Sequence, residues 1–364
     1  MDKKIIFVIN NIQNPRCIKR VNEFISKGYG VKVYAFDRGG TMYNETNSFP
    51  INYVKGFSND VPYAKRLPII YRSSKEILDN NKGEKAIYYF FGLEIAMMFL
   101  LLHFRTSYIY EESDLMHTYI SNPIIRRLFE TIDKWIIRNS IMTVFTSDGF
   151  RQYHYGNIQP DNTYVIPNKL PPDVKQYERI PKVKHDNLRI GFVGHIRYLP
   201  VKIFAETFCK YYPNNEFHFY GDIVSTKEEE MFAPLKKYPN CHFHGRYRTP
   251  LDLPTIYSTI DIVLSTYDTS FDNVRYAEPN KLYEAIFFRT PIIVSAGCFL
   301  GDKVEEMGVG YAVDGTNEEK IMKLLQSLTE SSIEEKIKHI DSLDNDYAIN
   351  YNDSFFSKLS EKMN

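Results

Sequence analysis

Residues 4–36 read KIIFVINNIQNPRCIKRVNEFISKGYGVKVYAF, and this opening sets the architecture. Residues 4–10 are a nearly unbroken apolar run, as a strand covered on both faces requires. Residues 16–26 have helical spacing, with Cys17, Val21, Phe24 and Ile25 on one side. Gly28 and Gly30 then end the helix, and residues 31–36 return to strand character. Strand, helix and strand in this order imply a parallel sheet with a right-handed crossover. The two glycines follow a helix rather than a strand, so they are not a dinucleotide-binding fingerprint.

The alternation continues outward. Further strands are expected at 86–90, 107–111 and 142–146. An amphipathic helix over 122–138 carries the single tryptophan, Trp135. The longest apolar stretch, residues 86–104 (AIYYFFGLEIAMMFLLLHF), is about long enough to span a bilayer. Glu94 sits near its middle, where a charge in lipid is costly, so a strand running into a core helix is the expected form. Residues 165–173, VIPNKLPPD, break the pattern, and 174–187 are polar without period. Residues 188–194, LRIGFVG, then open a second α/β half, with strands expected at 216–220, 241–244, 260–264, 291–295 and 309–312. The expected division is a first Rossmann-like domain over 1–170, a linker over 171–187, a second Rossmann-like domain over 188–332 and a helical segment over 333–364. In such sheets ligands bind at the carboxyl ends of strands, so a cleft between the halves is the expected place for chemistry.

At 364 residues the chain is too long for one small core. Lys+Arg and Asp+Glu both number 45, and zero net charge argues against a dedicated nucleic-acid partner. Hydrophobic residues at 43% and charged residues at 25% exclude wholesale disorder. The 28 Tyr and 25 Phe suit stacking on bases and sugars, but fill cores equally well. Cys17, Cys209, Cys241 and Cys298 form no C-x-x-C pair, so buried, reduced thiols and a cytoplasmic setting are expected. The apolar run at the N-terminus, Ile5 to Ile9, is too short for a signal peptide.

Four constellations carry candidate chemistry. In 275–295, RYAEPNKLYEAIFFRTPIIVS, Pro279 and Asn280 signal a helix start near Lys281. A lysine there opposes the helix dipole. It fits if an anion binds at that N-terminus together with the free N–H groups. Glu284, one turn on, can accept two hydrogen bonds from a ribose diol. A solvated Lys–Glu pair is the plain alternative. In 191–200, GFVGHIRYLP, Gly194 lets backbone approach a phosphate, Arg197 offers a planar charged fork, and His195 is a further phosphate candidate. In 108–114, YIYEESD, Glu111, Glu112 and Asp114 cluster after a strand, where they either meet acceptor hydroxyls or cap a helix. In 10–19, NNIQNPRCIK, Asn11 and Arg16 are candidates for acceptor or phosphate contact. His242 and His244 share a strand face, but no third ligand is visible, so no metal site is expected.

VGHIRY (193–198), EPNKLYEAIFFRTPIIVS (278–295) and VEEMGVGYAVD (304–314) together resemble the family 4-type glycosyltransferases of the GT-B fold, more narrowly those of bacterial capsule, O-antigen or exopolysaccharide assembly. The resemblance covers roughly 188–315, and extends loosely to IPNK (166–169) and the opening strand–helix unit. It implies two Rossmann-like domains, with the acceptor held mainly by the first and the nucleotide-sugar donor mainly by the second. It also implies a C-terminal helix crossing back to the first domain. Glu284 matches the family's ribose-binding glutamate and Lys281 a basic residue beside the phosphates. Arg197 and His195 stand near its Gly-Arg phosphate contact. The family often has two glutamates eight positions apart. Here the first of these positions is Tyr276, leaving Glu278, Asn273 or Asp272 for the contact to the transferred sugar. Only the offset Lys202 answers to a further family lysine.

The resulting expectation is a glycosyltransferase moving a sugar from a UDP- or GDP-linked donor to a glycan or lipid-linked acceptor, retaining and metal-independent, with no cofactor. Catalytic candidates are Arg197, Lys281 and Glu278. Donor contacts are Gly194, His195, Arg197, Asn280, Lys281 and Glu284, and acceptor contacts Asn11, Arg16, Glu112 and Asp114. The helix at 122–138 sets Ile124, Ile125, Leu128, Ile132, Trp135 and Ile136 beside Arg126, Arg127, Lys134 and Arg138, suiting peripheral contact with the inner face of an anionic membrane or simple packing on the sheet. Alternatives are a non-catalytic nucleotide- or glycan-binding scaffold subunit and a sugar-nucleotide epimerase of the same fold.

Overall fold

The structure, a computed structural model, describes residues 4–12, 14–37, 49–58, 61–177, 179–223 and 225–363. The chain divides into two compact units, Met1–Pro167 with Asn352–Asn364, and Asn168–Tyr351.

The first unit is built on strands β1 (Lys4–Ile9), β2 (Gly30–Phe36), β3 (Ile51–Val54), β4 (Ile87–Phe91), β5 (Tyr108–Glu112), β6 (Met142–Phe145) and β7 (Thr163–Val165). They form one parallel seven-stranded sheet in the order β3-β2-β1-β4-β5-β6-β7. Ile5 to Ile9 are completely buried, which explains the unbroken apolar run: both faces of a central parallel strand are covered. The helix Pro15–Ser26 starts with Asn14 accepting from the Arg16 N–H and with Pro at its first turn. Its Cys17, Val21 and Phe24 pack on Phe7, Tyr89 and Phe91 of the sheet. The 86–104 stretch is β4 followed by the helix Leu93–Leu102. Glu94 lies in the first turn of that helix, where its charge suits the dipole. Among the described residues no helix is long and apolar enough to cross a membrane.

The second unit carries β8 (Arg189–Val193), β9 (Glu216–Tyr220), β10 (Cys241–Phe243), β11 (Ile262–Ser265), β12 (Ile292–Ser295) and β13 (Gly310–Val313). They form a parallel six-stranded sheet in the order β10-β9-β8-β11-β12-β13. Apolar clusters cover both faces, one around Val193, Val263, Leu282 and Val294, the other around Phe192, Phe204, Phe219 and Leu264. All four cysteines are buried and free.

Two boundaries differ from the sequence expectation. Residues 171–187, expected as a linker, belong to the second unit. Val174 is fully buried in its core. The Lys182 ammonium donates to the Tyr257 and Ile260 carbonyls, each at 2.7 Å, and to the Thr290 hydroxyl at 2.6 Å. These carbonyls end the helix Leu253–Thr259, so the lysine caps it. A polar, proline-rich stretch can thus be fully committed to a domain through side-chain hydrogen bonds that leave no periodic signal. The second difference is the tail. The helix Glu330–Ser342 stays with the second unit, and the chain returns to the first only at Asn352. There the helix Asp353–Met363 places Phe355, Phe356 and Leu359 in the first core, with Phe356 edge-on to Phe24 at 5.0 Å.

Candidate active site

In the second unit, Gly194 ends β8 with φ +134°, in a region L side chains rarely adopt. A Cβ there would stand 3.0 Å from the Lys281 Nζ. Only glycine accepts both that backbone and that neighbour without strain. The lysine comes from the first turn of the helix Asn280–Phe287, whose capping residue Pro279 has no side-chain bond to offer and whose first turn has no acidic residue. Half-buried, Lys281 lies over the Phe192 ring at 4.7 Å and reaches the Tyr267 hydroxyl at 3.2 Å. No carboxylate among the described residues lies within ion-pair distance of it. Lys281 and Glu284 are therefore not the solvated surface pair that spacing alone allows.

Tyr267 follows β11, and its backbone is fastened by Ser295 at the end of β12: the Tyr267 N–H donates to the Ser295 hydroxyl at 2.7 Å, and that hydroxyl donates to the Tyr267 carbonyl at 2.8 Å. Tyr198 meets Tyr267 edge-on at 4.7 Å. Arg197 is exposed and lies over the Tyr198 ring at 4.8 Å. The loop after β8 and the helix start at Asn280 are therefore linked through two tyrosines, with one cation on each side. His195 and Asn280 are exposed.

Glu284 is 8% exposed and accepts from the Tyr257 hydroxyl at 3.0 Å. Burial pushes its carboxyl above the ordinary value, while Lys281 and the Tyr257 hydroxyl pull it back. Glu278 is buried, and its Oε1 accepts from Lys303 at 2.6 Å and from the Tyr283 hydroxyl. Its Oε2 is buried without a hydrogen-bond partner among the described residues. Asp272 opens the short helix Asp272–Tyr276 and pairs with Arg275 at 3.5 Å, and Asn273 is buried. Lys202 is tied to Glu206, one helical turn on, at 2.5 Å.

In the first unit, alternation along β5 sends its two terminal glutamates to opposite faces. Glu111 is fully buried, held by Arg20 at 3.0 Å, Arg16 at 3.2 Å and the Tyr89 hydroxyl at 2.5 Å. Glu112, expected to meet an acceptor, is also fully buried, with His154 Nε2 3.0 Å from its Oε2. Burial and the neighbouring Asp133 and Asp114 hold its carboxyl well above the usual range. Asp133 receives the Tyr110 hydroxyl at 2.9 Å and faces His117 Nδ1 at 3.2 Å. Arg16 keeps 19% of its side chain exposed, and Asn11 and Asp114 are half-buried.

Tyr198, Tyr257, Tyr267 and Lys303 were not singled out in the sequence. Among 53 Tyr and Phe no spacing distinguishes a site residue from a core one, and Lys303 reaches Glu278 from a helix twenty-five residues away.

No family profile matches the chain, and no curated protein matches it. Solved structures do. The sucrose-phosphate synthase (tll1590) from Thermosynechococcus elongatus superposes with a TM-score of 0.71 at 13% identity, over 99% of each chain. Anabaena Alr3699/HepE, solved in complex with UDP and glucose, gives 0.69 at 14% identity, over 99% of this chain and 100% of that one. The UDP-GlcNAc 2-epimerase from Neisseria meningitidis, bound to UDP-GlcNAc, gives 0.65 at 13% identity, over 98% and 100%. At these identities the likeness establishes the fold. The chain has the GT-B fold, two parallel-sheet α/β domains.

Proposed function

We propose that the chain is a glycosyltransferase that moves a sugar from a nucleotide diphosphate sugar to a glycan or lipid-linked acceptor in the assembly of a bacterial surface polysaccharide, with retention at the anomeric carbon. The observation that carries the reading is Lys281. A half-buried ammonium with no carboxylate among the described residues in ion-pair reach stands at a helix N-terminus, against a positive-φ glycine, one turn before a buried glutamate. That arrangement leaves cationic charge uncommitted for a diphosphate, with an acceptor for a diol one helical turn further on.

In this reading Gly194, His195 and Asn280 line the phosphates, and Arg197 and Lys281 stabilise the charge growing on the leaving diphosphate. Glu284 accepts from the ribose hydroxyls. Glu278, clamped by Lys303 and Tyr283, turns its unpartnered oxygen to a hydroxyl of the transferred sugar. The departing phosphate takes the proton of the attacking hydroxyl. Asn11, Arg16 and Asp114 contact the acceptor, while Glu112, fully buried against His154, stays out of its reach. Charge on the leaving group is assigned to side chains rather than to a metal.

The reading includes a cytoplasmic enzyme resting on the inner face of the membrane. On the helix Pro123–Asn139, Ile124 is 80%, Leu128 57% and Trp135 46% exposed, beside exposed Arg127 and Arg138. Leu128→Asp is expected to reduce sedimentation with anionic vesicles.

Thermal unfolding with UDP and with GDP tests the core of the proposal. A nucleotide at a hundred times its dissociation constant adds about 2.7 kcal/mol of stability. A shift with one nucleotide, lost in Glu284→Ala, is the expected result. No shift with either overturns the donor site. Conversion of a donor sugar without any acceptor would favour the epimerase instead, and nucleotide binding without transfer or conversion the scaffold.

A further inference from the structure

The histidines at the edge of the second sheet have no part in that reading. β9 and β10 run parallel with His218 directly opposite His242. Side chains two apart on a strand share a face, so Glu216 and His218 of β9 line up with His242 and His244. The His218 and His242 rings stack with centroids 4.9 Å apart, and His218 Nε2 is 3.1 Å from Glu216 Oε2. One ligand atom from each of Glu216, His218 and His242 falls within a 4.8 Å group. The other ring nitrogen of His218 meets His244 Nε2 at 3.0 Å. His218 is 7% exposed, His242 half-buried and His244 exposed, so the group opens to solvent on one side.

We propose that Glu216, His218 and His242 bind a divalent cation of the zinc class, with His244 fixing the ring of His218 from behind and the fourth position open to solvent. Two imidazoles and a carboxylate select zinc, copper or nickel over magnesium or calcium. Metal-bound imidazoles ordinarily hold their second nitrogen in a hydrogen bond, which sets tautomer and orientation. The His218–His244 contact supplies that bond. Glu216 also faces Arg189 Nε at 3.0 Å, and the cation competes with this guanidinium for the carboxylate. Bound there, the ion clips the edge strand β10 to its neighbour.

The test uses the full chain without a histidine tag, stripped with chelator, and titrated with zinc, magnesium and cobalt. One equivalent of zinc in the micromolar range or tighter, no magnesium, and a cobalt spectrum of four-coordinate nitrogen–oxygen type are expected. His242→Ala, at a half-exposed position, should weaken zinc more than a hundredfold, and His244→Ala about ten- to a hundredfold. Both variants should keep the zinc-free unfolding temperature of the parent. Zinc bound equally well by His242→Ala overturns the proposal. So do binding only near millimolar zinc and thiolate charge-transfer bands in the cobalt form, which would assign the metal to cysteine.

Discussion

Glu111 in the first unit and Glu284 in the second are both buried carboxylates that accept from a tyrosine hydroxyl, Tyr89 and Tyr257. They differ in what surrounds the charge. Glu111 has two guanidiniums within ion-pair distance, Arg20 at 3.0 Å and Arg16 at 3.2 Å, so protein cations offset its charge. Glu284 has no cation among the described residues in ion-pair distance, and burial raises its carboxyl while Lys281 counteracts from further off. Closed networks of the first kind hold a domain together. An open arrangement of the second kind, cation and carboxylate near each other but unpaired, suits the charged ligand proposed for this site.

The sharpest way to break this contrast is Glu111→Ala. It leaves Arg20, 3% exposed, as a buried charge with reduced pairing. A loss of about 3–5 kcal/mol in chemical denaturation is expected. A loss below 1 kcal/mol would remove the distinction. Lys281→Ala tests the other side. Removing one preorganised donor of this kind lowers turnover by about 10²–10³-fold. Because Lys281 has no ion pair among the described residues to lose, stability should move by less than about 1 kcal/mol, and a larger loss of stability than of turnover would mark it as structural.

Gly194→Ala forces an L residue to φ +134° and sets a methyl 3.0 Å from Lys281 Nζ. The lysine end can swing away, so backbone strain dominates. The expected loss is about 1–3 kcal/mol, together with a weaker thermal response to the nucleotide. An alanine variant that binds as the parent does would show that the close approach of glycine and lysine is incidental.

The smallest effect is the pH dependence of Glu284. Its folded value lies above the unfolded one, so between the two the native state holds the extra proton and stability falls as pH rises through that window. Glu284→Gln should flatten this slope in unfolding temperatures measured from pH 4 to 8. Nucleotide binding should strengthen over the same window, because the ionised carboxylate is the better acceptor for a diol. A steeper slope in the glutamine variant would contradict the assignment.

Much of the fold was legible because central parallel strands carry continuous apolar runs. β1, β4 and β5 stand out for that reason. β3 (INYV) and β7 (TYV) were not anticipated, because they are short edge strands only partly buried and need no apolar run. In the candidate site, Gly194, Lys281 and Glu284 were readable from local spacing, since one turn of helix fixes the lysine–glutamate geometry. Glu112 was read as open to an acceptor, and the structure buries it under His154. Alternation on a strand says which face a residue takes, not what covers that face.

The sequence by itself determined two α/β halves and a helix start beside Lys281, one residue from where the structure begins it at Asn280. These depend on period and local backbone preference, which neighbouring residues encode. Only the tertiary structure decided that Tyr267, fastened to Ser295, would meet Lys281, that Lys303 would clamp Glu278, and that His218 would lie opposite His242. Strand pairing and helix packing bring such residues together across long stretches of chain, and no local pattern records them.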